Sequence, residues 1–249
     1  VSELVVSVTM ILVLFLLLAG GLWVAMSLLG VAIAGMYFFT SQPIGDPMAL
    51  VIWDHASNWT LTALPLFIWM GEILLRTHVT KTMFSGLAPW VNALPGRLLH
   101  VNTIGCAIFA AACGSSAATC ATIGKLTIPE LRSRGYPDNI VVGSLAGPAT
   151  LGLLIPPSIT MIIYGVSAEV SIAKLFVAGI IPGVLLAGLF IFYTMIWSLL
   201  HPAAVPAYPV KMPFWSRVVE ARHLLPIVAL IGGVIGTIYS GIATPTEAA

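Results

Sequence analysis

Gly114-Ser115-Ser116-Ala117-Ala118-Thr119 is the stretch that decides how the rest of the chain is read. It is a hydroxyl-rich, small-residue patch between two apolar arms, 98–113 and 117–128. At about 1.5 Å per residue each arm reaches roughly 18–24 Å, short of a hydrocarbon core of about 30 Å. Arg97 precedes the first arm; Lys125, Arg132 and Arg134 follow at the end of the second. Basic flanks on both outer ends predict a re-entrant hairpin that enters the bilayer from the cytoplasm and returns there. Backbone that stops being helical at membrane depth is tolerated only where it is buried in protein or lines a cavity. The tip is therefore a candidate solute or ion site.

Composition sets the class. The 249 residues are 59% hydrophobic and 8% charged, with a mean hydropathy of +1.05, against about 25% charged residues in a soluble domain. This predicts an all-α, polytopic protein of the lipid bilayer. A net charge of +1 offers no handle for nucleic acid. Cys106, Cys113 and Cys120 are seven apart, could share a helix face, lack a CxxC pair and sit in apolar sequence. They read as small packing residues. The first apolar run has neither a basic n-region nor a small-residue cleavage site, so a removable signal peptide is not expected.

Residues 4–39 carry no charge over 36 positions, too long for one span at about 54 Å. Gly20-Gly21 divides them into two short helices, 4–19 and 22–39. A loop with Pro43, Asp46, Pro47 and Asp54 is expected over 40–59, and a span with Pro65 over 60–75. Residues 76–97, amphipathic with Arg76, Lys81 and Arg97, are expected along the membrane surface. After the hairpin, 126–138 reads as a charged loop. The apolar run 139–164 is interrupted by Gly147-Pro148, Gly152 and Pro156-Pro157; proline removes a backbone donor and clashes with the preceding turn, so this span is expected to be broken. A short turn with Glu169 leads to a long span, 174–200. The loop 201–223 holds four prolines with Lys211, Arg217 and Arg222, and a last span covers 224–239.

The loops set the orientation. Segments 76–97, 125–138 and 201–223 carry nearly all Lys and Arg and are assigned to the cytoplasm. Segments 40–59 and 165–173 carry acids only and are assigned outside. Thr244-Pro245-Thr246-Glu247 spells a capping box, with Thr at N-cap, Pro at N1 and Glu at N3. It announces a helix that has barely begun when the sequence stops, so a truncated chain is expected.

These residues bring a family into view. The tip motif, then Ile128-Pro129-Glu130 and Arg134-Gly135-Tyr136, then Gly152-Leu153-Leu154-Ile155-Pro156-Pro157-Ser158, then Leu175 to Gly183, resemble the large permease subunit of TRAP transporters, the tripartite ATP-independent periplasmic carriers of organic acids. Pro65-Leu66-Phe67 and Ala243 to Ala249 also fit. The resemblance runs from about residue 60 to the end. It implies the first inverted repeat of an elevator-type transporter, with a hairpin and a broken helix, plus the opening of a second repeat. On that basis 1–59 holds two scaffold helices and an outer loop, 60–97 a span and an amphipathic arm, 98–138 the hairpin and a cytoplasmic loop, 139–200 the broken helix and the following span, and 201–249 a loop and the start of the second repeat. It further implies a multi-pass protein of the bacterial inner membrane, not an enzyme, importing carboxylates such as C4-dicarboxylates or sialic acid. Sodium would be the coupling ion, with no other cofactor. The implied partners are a small membrane subunit and a periplasmic substrate-binding protein.

The chemistry at the tip is legible without the resemblance. The first arm ends there with free carbonyls, and the second begins there with free N–H groups. Ser115 or Ser116 can cap the second arm. One end suits a cation and the other a carboxylate, as at the broken helices of transporters. Gly114, Ser115, Ser116 and Thr119 are the candidate ligands on this side. The breaks at Gly147 and at Pro156, Pro157 and Ser158 release carbonyls that are costly to leave unpaired in lipid and that suit a hard cation. Sodium is placed at Ser115, Ser116, Ser158 and nearby carbonyls. The alternative is that these hydroxyls merely satisfy a buried helix break. Glu72, the one acid well inside an apolar span, has Arg76 four residues on and reads as a surface pair rather than a proton relay. His78 and His100 are expected at membrane edges, and His55, His201 and His223 in loops. Two further functions compete with transport. An intramembrane serine hydrolase using Ser115 or Ser116 would need a His or Lys base at the same depth. A non-transporting membrane scaffold would gain nothing from stacked helix breaks.

Overall fold

A computed structural model describes residues 3–41, 43–77, 79–206 and 213–248, and the side chains of 79–81 lie outside it. The expected roles of His78, Lys81, Lys211 and Ala249 therefore fall outside the described residues. Every regular element described is helical. The chain divides into two compact units, 1–57 and 58–249.

In the first unit, α1 (Glu3–Ala19) and α2 (Val24–Phe39) form the helical pair expected on either side of Gly20-Gly21. Gly21 takes φ +78°, the left-handed conformation that closes a helix C-terminus at low cost. The pair packs through glycines, with Gly30 facing Leu17 and Gly35 facing Met10. The loop expected over 40–59 is corrected: Gly45–Ala56 is a helix, α3. Its Asp46 and Pro47 lie in the first turn, where an acid suits the helix dipole and proline lacks only a donor the helix does not use.

The second unit is built around α6 (Leu99–Cys113). Most of its residues are buried, on every side, which marks a central helix rather than a surface one. Around it lie α4 (Ala63–Arg76), α5 (Val79–Val91), α7 (Ser116–Ser133), α8 (Asp138–Ala149), α10 (Ile172–Leu200) and α12 (Leu225–Tyr239). α9 (Ile159–Ser167) completes the broken span, and α11 (Phe214–Ala221) lies against α5. α10, and the run from Phe214 to Tyr239, are long and apolar enough to cross a membrane. α10 presents Ile181, Val184 and Leu185 on an exposed apolar face.

Three expectations about connections are corrected. The charged loop over 126–138 shrinks to a turn, because α7 runs through Pro129 to Ser133. The 201–223 segment contains α11, whose Phe214 edge-stacks on Trp90 of α5. Gly147-Pro148 does not break its helix, since α8 continues to Ala149; the hydroxyl of Thr150 donates to the Gly147 carbonyl at 2.6 Å. The break begins at Thr150 instead, passes a short 3-10 turn and the cis Pro156-Pro157 bond, and ends at Ser158.

Within the second unit the basic segments come together. Arg97 donates to the Pro206 carbonyl at 2.5 Å, the Tyr136 hydroxyl reaches the Gly96 carbonyl at 3.5 Å, and Gly135 sits against Pro206. The three basic segments thus meet at one end. From there α10 runs 29 residues, about 43 Å, to a cavity of about 480 Å³ bordered by Trp59, Glu169, Ser171 and Thr244. The histidine reading is corrected: His55 lies in the last turn of α3, His223 lies in a short 3-10 turn, and His100 is fully buried, its Nε2 on the Pro95 carbonyl at 2.5 Å. The Cys residues are packing residues, with Cys106 and Cys113 in the core, but α6 carries two of them and α7 the third.

Candidate functional site

α6 ends at Cys113 because Gly114 turns left-handed, at φ +60°, with its N–H on the Ala110 carbonyl at 2.9 Å. Ser115 then caps α7, its Oγ accepting the Ala118 N–H at 3.4 Å. The hairpin and its cap are those expected from the motif. The tip rests directly on the broken span. A Cβ on Gly114 would stand 2.6 Å from the Pro157 carbonyl oxygen and 3.0 Å from the Ile159 nitrogen. A Cβ on Gly152 would stand 2.7 Å from the Ser116 nitrogen and 2.8 Å from the Ser115 carbonyl carbon. Only glycine permits either approach, and the Ile159 N–H donates to the Gly114 carbonyl across the gap at 3.3 Å.

Four helix ends converge here. The C-terminus of α6 and the stretch after α8 bring carbonyls; the N-termini of α7 and α9 bring N–H groups. Partial charges of both signs therefore face one small volume. The depth follows from helix length. α6 spans 15 residues from the basic end, about 22 Å, and α9 adds 9 residues toward the opposite end, about 13 Å.

The hydroxyls at this junction are not equivalent. Ser158 is fully buried, and its Oγ donates to the Leu153 carbonyl at 2.8 Å, which leaves its lone pairs free. Thr119, also buried, shares a 3.3 Å contact with the Cys113 sulfur. Ser115 is engaged in capping. The Ser116 Oγ is buried and has no partner among protein atoms. An unpaired buried hydroxyl costs about 1–3 kcal/mol; Ser116 Oγ is one of seven unpartnered buried side-chain atoms among the described residues, and it lies where the tip meets the broken span. Ser116, Ser158, Ser115 and adjacent carbonyls could hold a hard cation, since oxygen donors are what such an ion takes. Among the described residues no cluster of His, Cys, Asp or Glu could hold a transition metal.

Of the sequence-derived site residues, the structure brings together Gly114, Ser115, Ser116, Thr119, Pro156, Pro157 and Ser158. Gly147 stands apart: a Cβ there would meet Phe190 of α10 at 2.8 Å. Glu72 pairs with Arg76 at 2.8 Å as expected. Sequence reasoning missed Gly152, read only as an interruption, and Asn102. The buried Asn102 amide donates to the Ser144 hydroxyl at 2.9 Å, tying α6 to α8. Only its polarity inside an apolar arm could have signalled this.

A hairpin of two helices, 15 and 18 residues long, resting on a broken span in an apolar helical chain is the architecture of a polytopic membrane protein. The chain belongs to the family of the DctM component of tripartite ATP-independent periplasmic transporters, whose model matches residues 11–249. It is 35% identical over 203 residues to the C4-dicarboxylate TRAP transporter large permease protein DctM of Pseudomonas aeruginosa, covering 81% of this chain and 47% of that one. It is 33% identical over 234 residues to the sialic acid TRAP transporter large permease protein SiaM of Vibrio cholerae, covering 94% and 53%. It is 35% identical over 236 residues to the isethionate TRAP transporter permease protein DctMQ of Oleidesulfovibrio alaskensis, covering 94% and 36%. The chain spans about half the length of the first two. It is an inner-membrane, multi-pass protein of this class.

Proposed function

We propose that this chain provides the hairpin and broken-helix half of a sodium-coupled carrier that imports organic acids, C4-dicarboxylates, sialic acid or related carboxylates among them. The carrier works as a permease rather than an enzyme, with a small membrane subunit beside it and a periplasmic binding protein delivering substrate. The hairpin and the broken span move together as an elevator. The observation that carries this reading is the buried, unpartnered Ser116 hydroxyl at the convergence of four helix ends. Sodium takes oxygen ligands and needs no titrating acid. Carbonyls and hydroxyls supply the cation's shell, while the N-termini of α7 and α9 favour the substrate carboxylate.

Ser116→Ala in the assembled transporter tests it. Without sodium, removing an unpaired buried hydroxyl is expected to leave the melting temperature unchanged or raise it. Sodium-driven uptake in proteoliposomes is expected to fall, with half-saturation moved to higher sodium. Unchanged sodium dependence in a triple variant, with Ser115, Ser116 and Ser158 all replaced by Ala, would contradict the assignment.

A further inference from the structure

The tip rests on the broken span on one side; on another it is held by α4. The buried stripe of α4 runs Ala63, Phe67, Gly71, Leu74, one residue per turn. Three of these fill space with a side chain. At Gly71 the space is filled from outside, by Cys113. A Cβ on Gly71 would stand 2.6 Å from the Cys113 Cβ and 3.1 Å from its Cα. These are backbone-bearing atoms, not the far end of a flexible side chain, so they cannot step aside without moving the end of α6.

Cys113 is the last residue of that helix, immediately before the turn. Its sulfur lies 3.3 Å from the Thr119 hydroxyl and 3.8 Å from the Ser115 carbonyl. The contact chain therefore runs from α4 through Cys113, at the end of α6, into the cap and first turn of α7. On the far side Gly114 and Gly152 close the tip onto the broken span with no slack.

We propose that Gly71 and Cys113 are positioning residues for the tip. α4 fixes where the end of α6 lies by the Gly71–Cys113 approach, and the Cys113 thiol fixes the Thr119 hydroxyl and the Ser115 carbonyl relative to it. A bound cation's affinity depends on the placement of its ligands and of the groups that hold them, so a Cβ at position 71 acts on the ion without touching it. The proposal rests on the sodium reading above.

The test is the sodium-concentration dependence of uptake by the assembled transporter, with thermal unfolding followed in parallel. Gly71→Ala is expected to raise the half-saturating sodium concentration roughly tenfold, the scale on which outer-shell partners act on a bound cation, while the protein still unfolds cooperatively. Cys113→Ser keeps a donor and acceptor of similar size and is expected to stay near wild type. Cys113→Ala loses the contact with Thr119 and is expected to shift in the same direction as Gly71→Ala. Adding Gly71→Ala to Cys113→Gly is expected to cause a smaller further loss than adding it to wild type, because the 2.6 Å approach to the Cβ is gone and only the 3.1 Å approach to the Cα remains. If Gly71→Ala fails to fold, the Cys113→Ser and Cys113→Ala pair decides. Sodium-dependent wild-type uptake with unchanged half-saturation in Gly71→Ala, or equal behaviour of the Ser and Ala variants, overturns the proposal alone. Wild-type uptake indifferent to sodium removes the sodium reading and the proposal with it.

Discussion

At the scale of residues, the site is made by what is small. Gly114 and Gly152 let two backbones meet, and the serines bring hydroxyls without bulk. Gly114→Ala would place a Cβ against the Pro157 carbonyl in a left-handed conformation that alone costs about 1–2 kcal/mol. The variant is expected to melt several degrees lower and to lose sodium-dependent stabilisation; a melting curve equal to wild type would show that the tip and the break separate freely. The serine and threonine positions were legible in the sequence because hydroxyls between apolar arms are locally conspicuous. The partners of Gly71 and Gly152 were not. A glycine inside a helix or loop announces close approach without naming what approaches, and Cys113 and Ser116 lie dozens of residues away. His100 was misplaced for the same reason: its burial is set by the 92–98 turn folding back on it, not by its neighbours in the arm.

At the scale of elements, short helices broken by charge or proline were the hardest to see. α3 and α11 carry Asp46, Pro47, Arg217 and Glu220, and those residues resemble loop punctuation until packing is known. The capping box, in contrast, was visible in four letters. The Thr244 N–H and hydroxyl both donate to one Glu247 carboxylate oxygen at 2.8 Å, and the Glu247 N–H returns a bond to Thr244 Oγ1 at 3.4 Å. The Thr244 N–H, then its hydroxyl, hold the Glu247 carboxyl below the usual carboxylate range. Since the folded value is depressed, the cap contributes fully above the free value near 4.3 and is lost as pH falls through the lower folded value. Carbon-detected NMR titration of Glu247 is expected to give a midpoint below that of an unstructured peptide. Equality with the peptide would mean that the cap does not form in solution.

At the scale of the whole molecule, charge and proline predict where the basic segments gather and where a span breaks. The basic segments meet through Arg97, Tyr136 and Pro206, and the turn with Glu169 borders the cavity at the other end of α10. Single cysteines introduced beside Arg97 and beside Arg132 are expected to react with an impermeant thiol reagent from the cytoplasmic side only. Reaction from opposite faces would mean that α6 and α7 together make one net crossing rather than a hairpin that returns to the side it entered from. What charge could not foretell is which atoms of the middle are free, and that is where the coupling ion is assigned. The most direct measurement is a high-resolution map of the assembled transporter in sodium compared with one in a large organic cation. The account expects a sodium-specific peak at about 2.3–2.6 Å from the Ser116 hydroxyl, the range calcium keeps to its oxygen ligands, with Ser158 and tip carbonyls completing the shell. A tip that looks the same in both maps, with the sodium peak elsewhere, would contradict it.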